Sequence, residues 1–277
     1  MTNKLEKLAD KLDSMKISTP KIPIIQAILD TLRSPIKEIA LEFTENETIL
    51  YICTKYKEKT ENKYRDMELK IDGKQHFQLA LADLKEIFEQ KLELQKICIR
   101  QTQTQKNAPI LLDWFKKHSF KPISTKRIFF IGMPLATMSS ILAYFKSGTL
   151  EKITMVWAFE PYDTQRLFAM DQWKKAKILH FCGGDETDPE IAIDNLFNFK
   201  RFDIFLDNVT VSDAEKIRDT IMRSKHFEHC KIYTRKQRDE SRVHAIADVL
   251  KLAPYHRKFR FRYSVDDYEL VIDKELV

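Results

Sequence analysis

The sequence predicts an α/β protein built as an open solenoid: a curved parallel sheet, helices on one face, hairpins near both ends. Three observations carry this. The first is a short phrase, apolar-x-x-apolar-x-apolar, that recurs eight times in 277 residues: at Ile36/Ile39/Leu41, Leu94/Ile97/Ile99, Thr125/Ile128/Phe130, Leu150/Ile153/Met155, Ala176/Leu179/Phe181, Phe199/Phe202/Ile204, Phe227/Cys230/Ile232 and His256/Phe259/Phe261. A phrase repeated at near-constant distance marks one supersecondary unit copied and stacked. The second is a switch to helical periodicity between copies, which makes successive strands parallel. The third is the set of residues alternating with the apolar positions. They run Lys96/Cys98/Arg100, Arg127/Phe129/Ile131, Lys152/Thr154/Val156, Ile178/His180/Cys182, Arg201/Asp203/Phe205, His229/Lys231/Tyr233 and Lys258/Arg260/Arg262. Burying so many unpaired cations is prohibitive, so one sheet face meets solvent and helices cover only the other.

Residues 1–34 form a short helical N-terminal segment, broken near Pro20 and Pro23, and 35–277 form the repeat domain. The first phrase begins the sheet. Ile49/Tyr51/Cys53 and Met67/Leu69/Ile71 then alternate at period two around the charged turn Lys57–Asn62, which predicts a β-hairpin. Leu81, Leu84 and Phe88 share a helix face, as do Ile110, Leu111, Trp114 and Phe115. Leu135, Met138, Leu142 and Phe145 make another, running out at Gly148. Asp188-Pro189 is a helix start leading into Ile193, Leu196 and Phe197. Ser212 and Glu215 have capping-box spacing ahead of Ile217 and Ile221. Val243, Ile246 and Leu250 give the last helix, stopped by Pro254. A closing hairpin joins Phe259/Phe261/Tyr263 to Tyr268/Leu270/Ile272 through Asp266-Asp267.

Composition narrows the function classes. Five Gly spread over the chain exclude a glycine-rich phosphate loop, and Gly183-Gly184-Asp185 reads as a strand-to-helix turn. The four cysteines, Cys53, Cys98, Cys182 and Cys230, contain no C-x-x-C pair, which argues for free thiols in a reducing compartment. The start of the chain is charged and no apolar stretch reaches membrane length, so the expected location is cytoplasmic or nuclear, away from membranes. No spacing suggests a catalytic triad or paired carboxylates, so neither an enzyme nor a cofactor is expected. His226, His229 and Cys230 do not make a metal site, because adjacent strand residues point to opposite faces. Charge is uneven: Lys96–Arg127 holds eight bases against one acid, Lys231–Arg262 ten against three, and Glu160–Asp194 eight acids against four bases.

The phrase matches the core of a leucine-rich repeat, although Thr102, Met133, Ala158, Gly184, Asp207 and Arg235 stand where its asparagine belongs. The predicted solenoid is therefore leucine-rich-repeat-like and irregular. A more specific likeness starts at Met170-Asp-Gln-Trp-Lys-Lys-Ala-Lys-Ile-Leu-His-Phe and continues through Lys200-Arg-Phe-Asp-Ile and Val211-Ser-Asp-Ala-Glu. Ser224-Lys-His-Phe-Glu-His-Cys-Lys-Ile and Arg257-Lys-Phe-Arg-Phe-Arg complete it. In this order the segments resemble the FTH domain of the expanded nematode F-box families. That resemblance implies protein recognition beside an F-box, which in such families docks a Skp1-type adaptor of a ubiquitin ligase. Only 34 residues precede the first strand and none makes the Leu-Pro start of an F-box. The expectation is thus the recognition half without the ligase-docking half.

The candidate site is the ladder of residues on the solvent face: Lys96, Arg100, Arg127, Phe129, Lys152, Arg201, Phe205, Lys231, Tyr233, Lys258 and Arg260. With Arg262, its triplets hold nine cations against one acid, Asp203. Cations interleaved with aromatics suit an intracellular protein with an acidic surface. The second expectation, after a non-enzymatic protein-interaction module, is single-stranded RNA on the same ladder, or an RNA-binding protein. The plain alternative is a solvated sheet whose lysines and arginines discourage edge pairing.

Overall fold

A computed structural model describes residues 36–58, 61–72, 75–90, 92–102, 107–118, 121–158, 164–182, 192–206, 209–234, 245–246, 248–250, 259–264 and 269–274. The N-terminal segment 1–34, Gly183–Asp185, Lys258 and the turns of the closing hairpin lie outside the described residues.

The copied phrase becomes a copied strand. The strands are β1 (Ile36–Phe43), β2 (Glu47–Glu58), β3 (Glu61–Asp72), β4 (Glu93–Gln101), β5 (Ser124–Pro134) and β6 (Lys152–Ala158). They continue with β7 (Ile178–Cys182), β8 (Arg201–Leu206), β9 (His229–Thr234), β10 (Phe259–Ser264) and β11 (Glu269–Lys274). All eleven form one sheet ordered β10-β11-β9-β8-β7-β6-β5-β4-β1-β2-β3. Pairing is parallel along β1-β4-β5-β6-β7-β8-β9, and the hairpins β2–β3 and β10–β11 add antiparallel at the two ends.

Phrase positions meet in register across the sheet. One rung runs Ile39, Ile97, Ile128, Ile153, Leu179, Phe202, Cys230 and Ile272. The next runs Leu41, Ile99, Phe130, Met155, Phe181, Ile204, Ile232 and Leu270. Both rungs are buried. A one-residue slip in any strand would exchange these side chains for the charged ones, so patterning sets the register. The eighth phrase departs from this. β11, not β10, lies against β9, and it does so antiparallel. The chain reverses between β10 and β11, and it is the returning strand that takes the place beside β9. The phrase at Phe259/Phe261 therefore sits on the sheet's outer edge strand.

The helices are α1 (His76–Glu89), α2 (Asn107–Lys117), α3 (Leu135–Leu142), α4 (Gln165–Ala169), α5 (Asp171–Lys175) and α6 (Val211–Arg223). Their buried residues join both rungs in one hydrophobic cluster; Val271, buried on the opposite sheet face, stays outside it. α1 packs on β2 and β3, and α3 on β5 and β6. Trp173 of α5 is buried edge-on against Phe181 and Phe199, and its indole N–H donates to the Asn195 carbonyl at 3.0 Å. Gly132, at φ 75°, forms a bulge in β5, where a Cβ would stand 2.1 Å from the Gln101 carbonyl oxygen.

Four local expectations shift. Thr210, not Ser212, caps α6: its hydroxyl accepts from the Asp213 N–H, and the Asp213 carboxylate accepts from the Thr210 N–H. The Asp188-Pro189 start lies outside the described residues, and Ile193–Leu196 beyond it is a 3-10 turn rather than an α-helix. Ile110 is exposed, because its helix turns Leu111, Trp114 and Phe115 inward. α3 ends at Leu142, and Phe145 reaches the core from a bridge to Ile123. Residues 245–246 and 248–250 are helical, with Ile246 and Leu250 buried, as the spacing predicts.

Candidate functional site: the open face of the sheet

Alternation puts every spacer of β4–β9 on the face opposite the helices, and the register sorts these spacers into three rows. The first row reads Glu38, Lys96, Arg127, Lys152, Ile178, Arg201, His229, Asp273 and Arg260. The second reads Ala40, Cys98, Phe129, Thr154, His180, Asp203, Lys231, Val271 and Arg262. Toward the C-terminal ends of the parallel strands lie Glu42, Arg100, Ile131, Val156 and Cys182, with Phe205, Tyr233 and Glu269 continuing the band. Along β5, β6 and β8 the face is thus graded, cationic at the strand starts (Arg127, Lys152, Arg201) and apolar at their ends (Ile131, Val156, Phe205).

All described members of the predicted ladder stand on this face, but its cations are not unopposed. β1 supplies Glu38, which holds Lys96 at 3.6 Å and Arg127 at 3.1 Å, and Glu42, 3.7 Å from Arg100. From the other side β11 supplies Glu269, 2.7 Å from Lys231, and Asp273, 3.3 Å from Arg262. The contact with Glu269, and secondly Tyr233, raises the Lys231 ammonium above its ordinary range. These acids were legible: Glu38 and Glu42 alternate with Ile39 and Leu41 as the cations do in later copies. Asp273 and Glu269 were not, because only the hairpin's reversal places them beside β9.

The middle of the face keeps its charge. Lys152 and Arg201 have no acid within ion-pair distance among the described residues. Lys96 and Lys152 flank Phe129, their ammonium nitrogens 5.3 and 5.5 Å from its ring centroid. Such contacts hold long side chains over an aromatic platform. Phe205 and Tyr233 stack on each other at 4.4 Å, with Lys231 over the tyrosine.

A second network was not anticipated. His180 Nε2 lies 3.6 Å from Cys182 Sγ, and its Nδ1 lies 3.6 Å from Asp203. Asp203 also faces His229 Nε2 at 3.4 Å, and His229 Nδ1 meets Asp273 at 2.7 Å. Asp203, and secondly Cys182, push the His180 imidazole up to about 9. Burial raises the Asp203 carboxyl, but His180 and His229 outweigh it and hold the group below its ordinary value. Period-two placement of His180 and Cys182 signals a shared face; the neighbouring Asp203 needs the register. His229 and Cys230 point to opposite faces, the cysteine into the core. Among the described residues no group of three His, Cys, Asp or Glu is placed to hold a metal ion.

The FTH domain profile matches residues 105–253, more than half of the chain. The chain belongs to the FTH-domain family. Its FTH region covers the strands that carry the middle of the open face. The chain is also 31% identical over 144 residues to F-box A protein 224 of Caenorhabditis elegans, a match spanning 52% of this chain and 33% of that protein. This FTH-domain chain therefore covers about a third of that relative's length. A solved Aquifex aeolicus PPX-GPPA enzyme aligns over 80% of this chain and 93% of its own at 14% identity, with a TM-score of 0.22, too low to imply a shared fold. No described helix is long and apolar enough to cross a membrane.

Proposed function

We propose that this FTH-domain chain is a non-enzymatic recognition module whose open sheet face binds an acidic protein. The observation that carries the reading is the central pair Lys152 and Arg201, with no acid within ion-pair distance among the described residues, and with Lys152 over the Phe129 ring and an apolar band toward the strand ends. Such a surface supplies an anchor and a directional charge together. The acids of β1 and β11 offset the cations next to them and leave Lys152 and Arg201 as the central positive charge, which favours a compact protein epitope over a polyanion tracking the whole face. The finer architecture belongs to the same proposal: in-register rungs and parallel neighbours support an open, leucine-rich-repeat-like stack. Kinship with an F-box A protein supports a role in partner or substrate recognition related to ubiquitin-ligase adaptors.

Affinity purification from the source cells, with and without ribonuclease, tests it. A protein partner retained after ribonuclease, and lost with Lys152→Glu/Arg201→Glu, is expected. Loss of every partner with ribonuclease would replace the reading by single-stranded RNA binding, for which affinity should fall with salt at a log–log slope of roughly −0.7 per phosphate.

A further inference from the structure

The third row of the open face contains an apolar strip. Ile131, Val156, Cys182, Phe205 and Tyr233 stand on five neighbouring strands, β5 to β9, and each is half-buried. Charge bounds the strip at both ends. Beyond Ile131 comes Arg100, paired with Glu42, and beyond Tyr233 comes Glu269, paired with Lys231. Neighbouring strands lie about 4.8 Å apart, so four spacings make the strip roughly 19 Å long. A contiguous, partly exposed apolar strip rimmed by charge marks a docking surface.

The form of the occupant follows from what the face offers. The backbone groups of β5–β9 are spent on neighbours within the sheet. A chain laid on this face therefore cannot add as a strand and must satisfy its own backbone, as an α-helix does. On a helix the strip spans about 13 residues, and apolar side chains at i, i+4, i+7 and i+11 make one stripe along it. At the strand starts, Lys152 and Arg201 stand two strand spacings apart, about 10 Å. Seven helical residues advance about 10.5 Å, so acids seven positions apart on one flank match both cations. The rows are four residues apart, about 13 Å, a gap that a long cation and a glutamate close from opposite sides. Between them Asp203 is engaged by His180 and His229, so it does not cancel the pair.

We infer that the open face takes an acidic amphipathic α-helix of a partner protein, laid across β5–β9. Its apolar stripe covers the strip from Ile131 to Tyr233, and its acids lie on the flank toward Lys152 and Arg201. The inference rests on the recognition reading and narrows the partner to one secondary structure and one charge pattern. The strip supplies affinity, and the cations fix which way the helix is rolled, because acids on its other flank would face away from them. Single-stranded RNA would use the cations and Phe129, but Ile131 and Val156 offer its bases no ring to stack on.

The test uses the full chain and synthetic peptides of about 14 residues, read by fluorescence anisotropy and circular dichroism. The first peptide carries leucine at i, i+4, i+7 and i+11 and glutamate at two flanking positions seven apart. The second has the same composition with leucine at every second position, and the third has lysine for glutamate. The first should bind at least about tenfold more tightly than either other and gain helix on binding. Val156→Lys should weaken it by about tenfold or more. Lys152→Glu/Arg201→Glu should reverse the preference between the first and third peptides, a change that partial unfolding would not produce. The first peptide should also displace the ribonuclease-resistant partner. Equal binding of the first two peptides, no gain of helix, or full binding to Val156→Lys would each overturn the helix. A partner lost with Lys152→Glu/Arg201→Glu but not displaced by the peptide would sink the helix and leave the recognition reading standing. A partner still bound to that variant would sink the recognition reading itself.

Discussion

Trp173 is the residue whose removal reports most clearly on how successive repeats are joined. It projects from α5 into the core, fully buried, with Phe168, Phe181 and Phe199 around it at centroid distances of 5.3, 5.6 and 5.1 Å. Its N–H donates to Asn195 of the following 3-10 turn, and the Asn198 amide donates back to the Trp173 carbonyl at 2.9 Å. The side chain therefore ties the segment before β7 to the segment before β8. Trp173→Ala removes the packing and leaves the part-buried Asn195 carbonyl without its donor, costing about 3–5 kcal/mol. Trp173→Phe keeps most of the area and loses the hydrogen bond, costing about 1–2 kcal/mol. In a chain of this size each kcal/mol lowers Tm by roughly 2–4 °C, so the alanine variant should melt about 10 °C early. Urea titration followed by far-ultraviolet circular dichroism gives both values. An alanine variant within about 1 kcal/mol of the parent would refute the packing account.

Three further outcomes are expected. Gly132→Ala forces a Cβ against the Gln101 carbonyl at positive φ and should cost about 1–3 kcal/mol in urea titration; a neutral result would mean that β5 does not bulge there. Thr210→Ala should cost about 1 kcal/mol and Thr210→Ser much less, whereas equal losses would deny the capping box at α6. His180 has a folded pKa of about 9 against an ordinary 6.5, so its contribution to stability is fully present below 6.5 and is lost as pH rises through 9. Urea midpoints should therefore fall across that window in the parent and stay flatter in Asp203→Asn, whose failure to differ would break the His180–Asp203 link.

Much of this fold was legible because one pattern set both period and face. Ile128/Phe130 and Arg127/Phe129 state in four residues which side of β5 is core and which is open. Tertiary context decided what single-strand patterning could not. Phe259/Phe261 carries the phrase of an inner strand, yet the hairpin turn makes β10 an edge and brings Glu269 and Asp273 onto the open face. Both Thr210 and Ser212 are chemically fit to cap α6; three residues beyond Thr210 lies Asp213, whose short carboxylate closes the box. The site was readable as a basic ladder, since alternation reports the face of each side chain. It could not report neighbours, so the Glu38 pairs and the Cys182–His180–Asp203 contact emerged only with the register.

The central claim, that the open face is the recognition surface, is tested most directly by reversing charge on the two sides of the sheet separately. Lys152→Glu/Arg201→Glu alters the open face, and Lys174→Glu/Lys175→Glu alters exposed α5 in the helical layer by the same charge. Binding to the ribonuclease-resistant partner, measured by quantitative capture, should be lost with the first variant and kept with the second. Loss with the helical variant alone would place recognition on the other side of the sheet and contradict the account.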